Sequence, residues 1–254
     1  MTPSLRTEKL TIRFGGHAAV NGVTCAFRPG ELTAIVGPNG AGKTTWFNLV
    51  SGQLKPTEGR VFLGERDITQ LAPSTRAKAG IGRAFQLTNL FPRLTVLENV
   101  RLVVQSRRGF GPRAFSRAAG LSHVADEAMS YLARTRLGAA AHLPAAALPH
   151  GDQRKLEVAM LLAMEPSVFM FDEPTAGMSV DEAPVILDLI AGITEDTTRT
   201  ILLVEHKMDV VRALAERIVV LHNGELVADG EPEAVMALPV VREIYLGVGA
   251  EEAA

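Results

Sequence analysis

Cysteine is almost missing from this sequence: Cys25 is the only one in 254 residues. No intrachain disulfide can form, and a reducing compartment is the simplest expectation. Aromatic residues reach only 5%, too few for an extended base-stacking surface. Neither sign of charge dominates. Lys and Arg number 26 against 28 Asp and Glu, a formal net charge of -2, and the pI is about 6.3. No basic excess points to a nucleic-acid partner. Long hydrophobic runs are lacking too. The most apolar stretch, 156–171, is broken by Glu157, Glu165 and Pro166, short of the ~20 apolar residues a spanning helix needs. The first nine residues are polar, so no signal peptide is expected. Internal repeats and low-complexity tracts are absent.

What is present argues for a folded chain. An apolar fraction of 47% with 21% charged residues and a mean hydropathy of +0.15 exclude disorder. The length suffices for a core without a disulfide or structural metal. The N-terminal third reads as strands. Residues 10–14 alternate, residues 20–27 form a second candidate closed by Pro29-Gly30, and 32–36 is a short apolar run entering a glycine-rich turn. Residues 43–50 read as a helix and 59–64 as a strand. From 87 to 163 the strand signals fade and three helical stretches follow, at 96–105, 122–137 and 153–163. The last third returns to strand–helix alternation. Buried-strand runs lie at 168–171 and 201–204, a helix at 181–193 carries Pro184 in its first turn, and a hairpin turns at His222-Asn223-Gly224. The expected fold is α/β, with an N-terminal antiparallel β subdomain and a helical subdomain (87–163) inserted in the core. A single domain is expected over 1–247, followed by a frayed tail at 248–254.

Two motifs carry chemistry. Gly37-Pro38-Asn39-Gly40-Ala41-Gly42-Lys43-Thr44 fits the G-x-x-x-x-G-K-[ST] phosphate loop. Its glycines let backbone N–H groups of Asn39, Gly40, Ala41 and Gly42 turn toward an anion, and the helix that follows adds its positive end. Lys43 supplies a point charge for the β- and γ-phosphates. The Thr44 hydroxyl suits Mg²⁺, and Thr45 is placed for an α-phosphate. The competing reading is a plain glycine-rich turn with an exposed lysine, but the loop follows an apolar strand and opens a helix, as phosphate binding requires. The second motif is Asp172-Glu173 at the C-terminal end of an apolar strand, where open α/β sheets bind ligands. Asp172 would hold Mg²⁺ and Glu173 would polarise an attacking water. The alternative there is acidic capping of the next turn.

With these residues in place, the chain resembles the ATP-binding subunits of ABC transporters over nearly its whole length, to about Gly247. Gln86 in Arg83-Ala84-Phe85-Gln86 looks like the Q-loop glutamine. Leu148-Pro149-His150-Gly151-Asp152 stands at the place of the signature, Asp172 and Glu173 resemble Walker B and the catalytic glutamate, and His206 resembles the switch histidine. The resemblance implies that Gln86 contacts Mg²⁺ or the lytic water, that His206 contacts the γ-phosphate, that Phe14 stacks on adenine, and that Ala176-Gly177-Met178-Ser179 is the D-loop. It also implies a head-to-tail dimer, in which Gly151 of one signature meets ATP on the other subunit. Gly15-Gly16, Arg83-Ala84-Phe85-Gln86, the D-loop and the ending 239–247 are similar to the ATPases of branched-chain amino acid importers, the larger of their two kinds. That branch also includes urea and amide importers. Separate membrane permease subunits and a solute-binding protein, at the cytoplasmic face of the membrane, follow from it.

The signature departs from the family pattern. Pro149 replaces a serine and has neither hydroxyl nor N–H, and Asp152 replaces a glutamine. This favours a heterodimer with a different ATPase, with a homodimer as the alternative. Two other functions compete: a soluble ABC-type ATPase acting on nucleic acid or ribosomes, and a nonhydrolytic regulatory subunit. Against the first stand the single cassette, the lack of heptads and the acidic pI; against the second, the presence of Lys43, Gln86, Asp172, Glu173 and His206. Arg107, Arg108, Arg113 and Arg117 form a basic cluster, read as a solvated loop before a lipid or acidic-partner site.

Overall fold

Apolar runs too short for helices set the centre of the structure. A computed structural model describes residues 4–84, 90–109, 118–178 and 182–251, and side chains within these ranges other than those of 118–122 and 246–251. Gln86, Ser179, Arg113 and Arg117 lie outside the described residues. The chain divides into two units, 1–81 with 167–173 and 193–254, and 82–166 with 174–192.

The first unit holds two sheets. Strands β1 (Leu5–Phe14), β2 (His17–Phe27), β4 (Glu58–Leu63) and β5 (Arg66–Asp67) form an antiparallel sheet in the order β2-β1-β4-β5. The other sheet contains β3 (Glu31–Val36), β7 (Val168–Asp172), β8 (Thr200–Val204), β9 (Arg217–His222) and β10 (Glu225–Gly230), in the order β10-β9-β3-β8-β7, with β6 (Ile81–Ala84) starting along the outer side of β7. Strands β9, β3, β8 and β7 are parallel, and β10 closes the edge as an antiparallel hairpin partner. Every residue of β7 and β8 is buried, as a parallel strand covered on both faces requires. Helix α1 (Lys43–Ser51) supplies Trp46, Phe47, Leu49 and Val50 to a core shared with Phe27, Leu10 and Ile12 of the antiparallel sheet and with Ile35, Met170, Leu202 and Val219. Phe27, Trp46 and Phe47 pack ring against ring at 5.5 and 5.9 Å between centroids.

Arg76, on α2 (Pro73–Ala79), is buried, and its guanidinium hydrogen-bonds to backbone carbonyls. It donates to Leu49 and Val50 at the end of α1, at 2.7 and 2.6 Å, and to Thr69 and Leu71 at 2.7 and 3.1 Å. Burial lowers its pKa to about 10. The helices α7 (Met208–Leu214), α8 (Pro232–Ala237) and α9 (Pro239–Glu251) complete the unit. Helix α9 continues past Gly247 to Glu251, so 248–251 are helical where a frayed tail is expected; 252–254 lie outside the described residues.

The second unit is mostly helical: α3 (Val96–Arg107), α4 (Ala118–Arg134), α5 (His150–Met164) and α6 (Ala183–Thr194), whose last two residues belong to the first unit. Thr95 and Glu98 cap α3 reciprocally. Buried Asn99 holds the preceding turn, accepting from the Phe91 N–H at 2.8 Å and donating to the Phe91 carbonyl at 3.1 Å. Helix α5 starts at His150, three residues before the apolar pattern suggests, because Pro149 serves as its N-cap. Two arginines of the basic cluster are internally neutralised: Arg107 pairs with Glu127 and Glu165, and Arg108 with Glu127. Among the described residues no helix is long and apolar enough to cross a membrane.

Candidate functional site

Parallel strands end on the same side of their sheet, and that places the chemistry. Strand β8 lies between β3 and β7, with Val204 in register with both Ile35 and Asp172. The phosphate loop leaves β3, Asp172 and Glu173 leave β7, and His206 leaves β8. All three segments therefore meet at one edge of the first unit, as expected for an open α/β sheet.

The loop is tightly built. The Lys43 ammonium folds back over it, donating to the carbonyls of Gly37 at 2.6 Å and Pro38 at 2.9 Å. Burial pulls its pKa below the ordinary lysine value, and the carboxylates of Glu173 and Asp172 oppose that shift. Gly42 caps α1 in the left-handed region with φ 97°, and the first turn of α1 carries no acidic residue. Its N-terminal amides thus face no carboxylate of their own helix. Asn39 and Gly40 are exposed, Ala41 is buried, and Thr44 and Thr45 are half-buried on the first turn.

Asp172 is buried at 3% exposure. At Glu173 the backbone departs from the strand. Its N–H still donates to the Val204 carbonyl at 2.9 Å, but φ is 51°, a conformation uncommon for a residue with a side chain. Its Oε1 lies 2.8 Å from Nε2 of His206. Buried Glu205 accepts from the His206 N–H at 3.2 Å. A carboxylate and an imidazole in contact, both partly open to solvent, can hold and relay a proton. The oxygen donors Thr44 and Asp172 form a hard set with no sulfur or imidazole, which suits Mg²⁺ bound jointly with phosphate oxygens.

Phe14 ends β1 and is 53% exposed, in register with His17 across the Gly15-Gly16 turn. The same hairpin backs the phosphate loop, since the Ala19 carbonyl would lie 2.5 Å from a Cβ on Gly42. A large ring left this open is a ready stacking face. Gly151 belongs to the second unit. It is buried in the first turn of α5, and a Cβ there would meet the Glu182 carboxylate at 2.1 Å. Asp152 pairs with Lys155 at 2.7 Å. Gln86 lies outside the described residues.

Two neighbours escape a reading by motif. Tyr245, from α9, lies beside the Gly37 backbone, and burial raises its pKa. The turn at Asn223-Gly224 touches the loop directly, with the Gly224 N–H donating to the Ala41 carbonyl at 3.1 Å. The Asn-Gly pair signals a hairpin in the sequence; its contact with a loop about 180 residues earlier does not follow from local pattern.

Known proteins resemble this arrangement. The sequence model of the family described as ABC transporter matches residues 20–176. The chain is 38% identical over 252 residues to the high-affinity branched-chain amino acid transport ATP-binding protein LivG of Salmonella typhimurium, covering 96% of this chain and 98% of that protein. It is 37% identical, with the same coverage, to BraF of Pseudomonas aeruginosa, which carries the same description. Among solved structures, the ADP conformation of MJ1267, an ATP-binding cassette of an ABC transporter, superposes with a TM-score of 0.81 at 29% identity, covering 97% of this chain and all of that one. The dimeric post-hydrolysis cassette MJ0796, bound to ADP and Pi, gives 0.77 at 28% identity, with 90% and 98% covered.

Proposed function

Because the chain belongs to the ABC transporter family and is one of its ATP-hydrolysing subunits, we propose that it powers uptake of branched-chain amino acids or related small polar solutes through separate membrane permeases. The observation that carries this reading is the near full-length likeness to LivG and BraF, joined to a phosphate loop, a carboxylate pair and a histidine at one sheet edge.

In this reading the loop amides and Lys43 hold the β- and γ-phosphates of ATP, and Phe14 stacks on adenine. Thr44 and Asp172, with Gln86, would hold Mg²⁺, which when bound offsets phosphate charge. Glu173 orients a water in line with the γ-phosphorus and accepts its proton as the bond to the leaving ADP oxygen breaks. His206 fixes that carboxylate through the 2.8 Å contact and reaches the γ-phosphate. Gly151 serves the nucleotide of the partner cassette. The altered signature, with Pro149 and Asp152, favours a second, different ATPase as that partner. A solute-binding protein delivers substrate on the far side, and the chain sits peripherally at the cytoplasmic face.

The test is the solution mass of Glu173→Gln with and without ATP. ATP binding without dimerisation supports the heterodimer. An ATP-dependent shift from monomer to dimer makes the homodimer the working assembly. Co-purification with permease subunits, followed by uptake assays with labelled leucine and with related small polar solutes, checks the transport reading; failure of all of them to be carried overturns it.

A further inference from the structure

The two-residue turn between β9 and β10 does more than join two strands. His222 and Glu225 pair across it, and Asn223 and Gly224 both have positive φ, 49° and 79°. This is the turn geometry that matches strand twist. Such a turn leaves the N–H of its second residue unused by the hairpin. Here that N–H donates to the Ala41 carbonyl at 3.1 Å, while the Gly224 carbonyl accepts from the Asn21 N–H at 2.8 Å. Three backbones thus converge without intervening side chains. A Cβ on Gly224 would lie 2.9 Å from the Ala19 carbonyl oxygen, and one on Gly42 would lie 2.5 Å from that oxygen and 3.3 Å from the Gly224 Cα.

The Ala41 carbonyl shares its peptide plane with the Gly42 N–H. In a trans peptide the two point in opposite directions. Whatever fixes the carbonyl therefore aims the amide. We propose that Gly224 is a positioning residue for nucleotide binding: by holding the Ala41 carbonyl from behind, its N–H sets the direction of the Gly42 N–H, a donor to phosphate. The inference rests on residues 37–45 being the nucleotide site. It adds a distant residue that touches no nucleotide and acts only through the loop.

The experiment compares four forms of the chain for ATP affinity, unfolding midpoint and the Gly42 amide resonance. Gly224→Ala introduces the close approach. Exchange of the Gly224 amide for an ester deletes the N–H without adding an atom, and decides the matter if Gly224→Ala does not fold. Gly64→Ala is the control, since Gly64 also has positive φ, 57°, but open space around it. Lys43→Ala tests the site itself. The expected result is ATP binding about tenfold weaker in both Gly224 forms, the value of one well-placed hydrogen bond. The Gly42 resonance should also shift before nucleotide is added, with Gly64→Ala binding as the unaltered chain does. Folded Gly224 forms that bind ATP normally, while Lys43→Ala does not, overturn the role of Gly224 alone. Normal binding by Lys43→Ala as well overturns the reading of the loop and this inference with it.

Discussion

Helices α1 and α5 begin alike and are finished differently. Each starts from a residue whose side chain makes no capping hydrogen bond, Gly42 for α1 and Pro149 for α5. Each therefore leaves its first amides looking for an acceptor. Helix α1 carries no acidic residue in its first turn. Helix α5 carries Asp152 there, paired with Lys155. One helix end awaits a charge from outside the chain; the other brings its own. An anion site at a helix end is thus defined as much by the lack of a carboxylate in the helix's own first turn as by the amides that form it.

The comparison can be broken at several strengths. Glu173→Gln should lower ATP turnover by about 10²–10⁴-fold, the usual contribution of a positioned base, while ATP binding at α1 persists. Phosphate release by the assembled complex checks it, and unchanged turnover would remove Glu173 from the role of base. Lys43→Ala should weaken ATP binding by roughly 2–5 kcal/mol, as for a buried charged partner, measured by titration with ATP. Phe14→Ala should cost roughly 1–3 kcal/mol of nucleotide affinity if the ring stacks, whereas no loss would make it packing alone. Asp152→Asn is the sharpest probe of the second helix. If a partner's nucleotide approaches α5, losing this charge should tighten ATP-dependent association by about 0.3–1 kcal/mol; if none does, the chain should lose stability by a similar amount. Thermal melts alongside association measurements separate the two.

The smallest effect is expected at Cys25. Burial, with Asp229 nearby and Arg217 opposing, raises its pKa from 9.0 to about 12. A thiol reagent at pH 8 should therefore label the folded chain only as it unfolds. Since the unfolded thiol ionises first, this group contributes stability below pH 9 that is lost as pH rises toward 12. Rapid labelling at pH 8 of a fully folded sample would contradict the buried placement.

Much of this was legible from local pattern. The buried runs at 32–36, 168–171 and 201–204 became β3, β7 and β8 because continuous apolar residues of that length suit strands covered on both faces. The phosphate loop and the Asp172-Glu173 pair could be found because spacing and chemistry coincide. Helices α2 and α8, of seven and six residues, are too short to show a helical period, and α9 is not among the helices the sequence suggests. Helix α5 begins three residues before the apolar stretch 153–163, because proline is tolerated at a helix entrance. Long-range facts left no local trace: the positive φ of Glu173, the pairing of Arg107 with Glu127, and the reach of Gly224 to Ala41. Each depends on what the fold brings against a residue.

Arg76 gives α1 a second property. Its guanidinium sits on the last carbonyls of a helix whose first amides face the phosphate loop. Nine residues span only about 13 Å, so a fixed cation already neutralises one pole of a short dipole. Arrival of a phosphate completes the circuit at the other. The helix then behaves as a polarised strut loaded at both ends, and amide hydrogen exchange along 46–52 should slow in nucleotide as one block.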